Sequence, residues 1–92
     1  MTTVAVIPET ALLDSQDRLL VSPAHGRVSV PVPVSFTSEG EVARAGDVLA
    51  LVDADGTLVE VCAPCDAWVM GYLIREGQRV EPGSAIAHLR AL

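Results

Sequence analysis

An all-β fold is what this chain of 92 residues predicts, and three observations carry it. Proline and glycine recur at short intervals, the look of a small protein built from short strands and tight turns. The segment Val28-Ser29-Val30-Pro31-Val32-Pro33-Val34-Ser35-Phe36 alternates strictly, with the valines and Phe36 on one face and the serines and prolines on the other. The third observation is an internal duplication, which bears on the whole architecture.

Half one reads Val21-Ser22-Pro23-Ala24-His25-Gly26-Arg27-Val28, then Glu39-Gly40-Glu41-Val42-Ala43-Arg44-Ala45-Gly46-Asp47-Val48-Leu49. Half two reads Val61-Cys62-Ala63-Pro64-Cys65-Asp66-Ala67-Trp68-Val69, then Glu76-Gly77-Gln78-Arg79-Val80-Glu81-Pro82-Gly83-Ser84-Ala85-Ile86. Pro23 matches Pro64, Gly26 matches Ala67, Val28 matches Val69 and Leu49 matches Ile86. Glu39-Gly40 matches Glu76-Gly77, and Gly46 matches Gly83 at the same spacing. Half one is longer between its proline and its first glycine. Gly40 and Gly77 fit positions that need a positive φ, which glycine adopts cheaply. Gly46 and Gly83 each restart the chain into a short strand. Neither half can bury its apolar face alone, so the two must pack on each other.

The elements follow in chain order. Residues 1–19 lie outside the repeat and form an N-terminal extension, with a strand expected over Val4–Ile7. Glu9–Arg18 fits neither a helical nor a strand period and is read as a strap over the barrel. Val28–Phe36 reads as an edge strand, because its two prolines cannot donate to a ladder. Val48–Val52 and Leu58–Val61 are strands joined by Asp53-Ala54-Asp55-Gly56-Thr57, and Asp-Gly between apolar runs is a strong hairpin signal. Val69–Ile74 and Ala85–Leu89 close the second half.

Composition narrows the function. The net charge is −6, and the six arginines are scattered with no basic stripe, which argues against a nucleic-acid partner. No apolar run approaches the ~20 residues that cross a bilayer, so no membrane partner is expected. Met1-Thr2-Thr3-Val4-Ala5-Val6-Ile7-Pro8 carries no basic leader region, and the expected compartment is the cytoplasm.

The pattern Ala-Pro-x-Asp-Ala-x-Val, followed by Glu-Gly-x-x-Val-x-x-Gly-x-x-Ile, resembles the biotinyl/lipoyl attachment domains, of the biotin carboxyl carrier kind. The resemblance covers roughly residues 20–92. It implies a flattened β-barrel, a sandwich hybrid of two small antiparallel sheets related by a pseudo-two-fold axis. Half one then covers 20–55 and half two 57–92. In that family a hairpin between the halves carries the modified lysine, often within Glu-Ala-Met-Lys-Met. Counting back from Pro64 puts Asp53 on the Glu place, Ala54 on the Ala place, Asp55 and Thr57 on the methionine places and Gly56 on the lysine place. All six Lys and Arg residues are arginine, so no other lysine can substitute. Biotin and lipoate are held through an amide to a lysine amine. The resemblance therefore implies a carrier fold without its attachment point and with no cofactor bound in the family's manner.

Cys62-Ala63-Pro64-Cys65 is open to four readings: two small apolar residues in a reducing compartment, a redox pair, a thiol attachment point or half a metal site. Three residues of extended chain span ~10 Å, too far for a disulfide unless the chain bends at Pro64. His25 and His88 lack ligand spacing, and no metal site is assigned. Trp68, Met70 and Tyr72 follow two-residue spacing. If Val69 points inward, Trp68 and Met70 point out, and a bulge would break the parity before Tyr72. These three form a candidate interface, since Trp and Tyr are favoured at hot spots. The alternative is that the N-terminal extension covers them. No nucleophile, base and orienting group come together, so no catalytic residue is assigned.

Three functions remain. The first is a protein-docking or assembly module, an accessory subunit of a carboxylase, acyl-transfer or biosynthetic enzyme system, whose partner is a larger enzyme or a second copy of itself. The second is a thiol-based carrier or redox protein using Cys62 and Cys65. The third is an unusual small enzyme with its site in a dimer cleft.

Overall fold

The computed structural model describes residues 2–8, 10–12, 17–31 and 41–92, and all regular structure among them is strand. The strands are β1 (Thr2–Val6), β2 (Thr10–Leu12), β3 (Asp17–Val21), β4 (Gly26–Ser29), β5 (Glu41–Ala43), β6 (Val48–Ala54), β7 (Thr57–Cys62), β8 (Ala67–Tyr72), β9 (Arg79–Val80) and β10 (Ala85–Ala91). They form two five-stranded sheets. Sheet I has the order β1-β7-β6-β4-β9 and sheet II the order β2-β3-β10-β8-β5. Every pairing is antiparallel except β1 with β7. Exchanging β3, β4, β5 and β6 for β7, β8, β9 and β10 turns the inner order of one sheet into that of the other. Each sheet thus takes strands from both halves of the chain.

The corners show why the glycines and prolines stand where they do. Ser22 donates its N–H to the Ser84 carbonyl at 2.8 Å and accepts from the Gly83 N–H at 2.8 Å. Ala63 does the same with the Asp47 carbonyl at 2.8 Å and the Gly46 N–H at 2.9 Å. Pro23 and Pro64 follow these two residues and turn the chain away. The turns opposite are closed alike: the Arg44 N–H donates to Asp47 Oδ2 at 2.9 Å, and the Glu81 N–H to Ser84 Oγ at 2.9 Å. Gly46 and Gly83 adopt φ of 92° and 91°, a conformation that costs a residue with a Cβ.

Between the sheets lies a core of small aliphatic side chains. Leu20, Ile86, Leu89, Val28, Val52, Val61 and Val80 are fully buried, as are Ala50, Ala63, Ala67 and Ala87. A β-branched or small residue at nearly every inward position suits two pleated faces packed on each other. At Gly26 the backbone itself is the packing surface. An added Cβ there would lie 2.1 Å from the Asp53 carbonyl oxygen, so β4 can approach the end of β6 only without a side chain.

Three expectations need correction or placement. The β4 strand lies between β6 and β9 and is not an edge strand. Its prolines led to that reading, but the ladder stops at Ser29, before Pro31, and the Val30 N–H is taken by Glu76 Oε2 at 2.9 Å. Residues 32–36 and Gly40 lie outside the described residues. The boundary drawn at residue 20 falls inside β3, because Asp17–Val21 is one continuous partner of β10. Within 1–19, β1 and β2 extend the two sheets in plane, at one end of each.

Gly26→Ala should destabilise the domain by ~3 kcal/mol or more, since either β4 or the Asp53 peptide must move. Gly71→Ala should not, because a Cβ there meets nothing within 4 Å; it should gain about 0.5–1 kcal/mol from reduced chain entropy. Urea denaturation of both variants against the parent measures the contrast.

Candidate functional site

Three surfaces concern function: the tip of the β6–β7 hairpin and the outer faces of the two sheets. At the tip, Ala54 pairs with Thr57, leaving a two-residue loop of Asp55 and Gly56. Their φ values of 50° and 85° are both positive, which is the type I′ geometry expected of Asp-Gly. Asp53 Oδ1 accepts the Gly56 N–H at 3.1 Å and locks the turn. Asp53, Asp55 and Gly56 are exposed, and the space around Gly56 is open. The tip therefore has two carboxylates and no side-chain amine. It can carry charge outward but cannot form an amide with a carboxylic acid.

On the outer face of sheet II, register places Trp68 between Val42 of β5 and Arg90 of β10. Val42 and Met70 are 46% and 43% exposed. The β8–β10 register then slips: Gly71 faces His88 while Val69 faces Leu89, so Met70 bulges out unpaired. The slip reverses the parity beyond it and turns Tyr72 inward, opposite Ala87. There Tyr72 packs against the core, and its OH donates to the Leu49 carbonyl at 2.7 Å. Tyr72 thus leaves the expected outward trio, while Trp68 and Met70 stay together and gain Val42. The extension does not cover them with its described strands, which lie in the sheet planes. Beside this strip, Arg90 grips Asp17 through Nε–Oδ1 at 2.8 Å and Nη2–Oδ2 at 3.4 Å, and His88 Nε2 lies 3.6 Å from the same carboxylate. That fork ties β3 to β10.

Cys62 and Cys65 are free thiols at the corner after β7. Cys62 is 5% exposed, and its Sγ lies 3.7 Å from the Glu60 carbonyl. Cys65 sits half-buried against the core in the bend at Pro64–Asp66. His25 is exposed. Among the described residues, no three His, Cys, Asp or Glu side chains are grouped to hold a metal ion, and no helix is long and apolar enough to cross a membrane.

The outer face of sheet I holds what the sequence hid. Arg27 of β4 stands directly opposite Arg79 of β9, and both are exposed. Arginines that look scattered along the chain are adjacent in the fold. The two-half alignment matches Val28 with Val69 and gives no signal of it; the β4–β9 pairing brings Arg27 to Arg79.

Tyr72→Phe should cost about 1 kcal/mol by leaving the buried Leu49 carbonyl without its donor. Gly56→Ala should cost a similar amount, about 1 kcal/mol, through φ alone, since nothing blocks its Cβ. Thermal melts of the two variants check both figures, and neither change should alter the other's effect, because the sites share no partner.

No protein-family model matches the chain, and no curated protein matches it. Among solved structures it is similar to a single-chain, multi-domain long-chain acyl-CoA carboxylase, with a TM-score of 0.72 and 21% identity over 92% of this chain and 8% of that one. It is also similar to the urea carboxylase of Kluyveromyces lactis, with a TM-score of 0.69 and 26% identity over 91% of this chain and 7% of that one. The chain spans no more than 8% of the length of either enzyme. These likenesses support a biotinyl-domain-like fold, the all-β architecture of two small sheets that the sequence predicts.

Proposed function

We propose that this chain is a biotinyl/lipoyl-like domain that carries no prosthetic group and works as a protein-docking or assembly module. Its setting is a carboxylase, acyl-transfer or biosynthetic enzyme system, as an accessory part, and its expected compartment is the cytoplasm. One observation carries the reading. The hairpin tip that carries the attachment lysine in the resembling family is here a locked Asp-Gly turn, while exposed Val42 and Met70 flank a half-buried Trp68 on sheet II. Exposed apolar side chains beside a half-buried tryptophan mark a contact surface more than a reactive one. The likeness to large carboxylases supplies the choice of enzyme system.

The test has two parts. Intact-mass measurement of the protein from its native host should give the unmodified mass; an adduct on Cys62 or Cys65 would replace docking with the thiol-carrier reading. A pull-down from native extract should recover a larger enzyme subunit, and Trp68→Ala should reduce that recovery at least about tenfold, the loss of one hot-spot side chain. Equal recovery with both proteins would overturn the docking face.

A further inference from the structure

We propose that Arg27 and Arg79 form an anion-recognition pair on the outer face of sheet I, and that its ligand is an acidic extended segment of a partner protein. The inference rests on the docking reading and adds the chemistry of the partner.

The pair is unexpected on charge grounds. Twelve acidic residues and only six arginines give the chain a net charge of −6. Chance placement would surround each guanidinium with carboxylates. Instead, β4 and β9 set Arg27 and Arg79 directly opposite each other, on the same face and both exposed. Like charges in directly opposed strand positions destabilise a sheet. Two of the nearby carboxylates are engaged elsewhere. Asp53, the cross-strand neighbour of Arg27 on β6, directs Oδ1 to the Gly56 N–H at 3.1 Å. Glu76, in the turn leading to β9, directs Oε2 to the Val30 N–H at 2.9 Å. Arg27 donates through Nη1 to the Gly77 carbonyl at 3.0 Å, which aims its fork along the sheet rather than neutralising it. The Arg79 side chain makes no hydrogen bond or ion pair among the described residues. Among the described residues, the arrangement leaves both guanidinium groups without a carboxylate partner at the β9 end of the sheet.

Geometry and charge choose the ligand. Opposed strand residues stand ~5 Å apart, and their long side chains reach further. Carboxylates on alternate residues of an extended peptide are ~7 Å apart and project to one side. Each can accept a forked pair of N–H groups, the strong form of carboxylate recognition. A polyphosphate or nucleic acid fits less well, because it needs several cations in a row. Here Asp53, the β6 partner of Arg27, and Glu60, which stands opposite Leu51, share the outer face with the pair. Their charge repels a long polyanion but spares a short segment that ends at β9.

The experiment follows the arginine side-chain N–H signals by NMR while a short synthetic peptide of alternating glutamate and alanine is added. The same titration is run with the glutamine version, with inorganic pyrophosphate and with single-stranded DNA. The glutamate peptide should shift the Arg27 and Arg79 signals saturably, and added salt should weaken the binding. Arg79→Gln should weaken it about tenfold, the loss of one charge-assisted contact. That variant should melt no lower than the parent, because it removes a like-charge opposition. Four results would overturn the proposal: no saturable shift, equal response to the glutamine peptide, tighter binding of pyrophosphate or DNA, or a lower melting temperature for Arg79→Gln, which would make Arg79 a structural residue. Trp68 lies on the other sheet, so failure here leaves the Trp68 pull-down result standing, and the reverse also holds.

Discussion

Mutual burial of two narrow apolar faces is the constraint on which this structure depends. Each face is assembled from both halves of the chain, and each is useless alone. The side chains between them are mainly valine, alanine and leucine, and several alanines, such as Ala50, Ala67 and Ala87, have no exposed surface at all. Small side chains let the sheets approach closely, and close approach is what makes backbone contacts matter. Gly26 is the extreme case, where the body of β4 meets the Asp53 carbonyl at the base of the tip hairpin. The tip is held in place by that core packing as well as by its own turn.

Local chemistry was legible in the sequence and long-range register was not. The Asp55-Gly56 turn could be read from two residues because its geometry follows from which side chains tolerate positive φ. Gly46 and Gly83 were legible through their spacing, and each opens a strand two residues later. The N-terminal strand was legible by composition, but its parallel pairing with β7 was not, since nothing in Thr2–Val6 names its partner. Proline misled at β4. A missing N–H matters only where a ladder bond is needed, and the ladder ends before Pro31. Tyr72 was grouped with Trp68 and Met70 because a strand's alternation was carried through a point where one residue is extra. A one-residue slip moves every later side chain to the other face.

The two outer faces differ in chemistry. Sheet II presents apolar side chains beside a carboxylate gripped by Arg90, while sheet I sets Arg27 and Arg79 at the end away from β1. Between them, the hairpin tip carries exposed carboxylates and no side-chain amine. Two chemically distinct faces on opposite sides of a two-layer body accord with the docking role proposed above.

Strand order also governs the sequence of events in folding. Sheet I needs β9 at one edge and sheet II needs β10 at its centre, and both strands follow β6 and β7 in chain order. The β6–β7 hairpin can close early, because only two residues separate its strands, but it then waits with both faces wet. Pairing β1 with β7 must close a loop of more than half the chain, a closure that comes slowly. Neither apolar face is therefore covered until strands from both halves have come together.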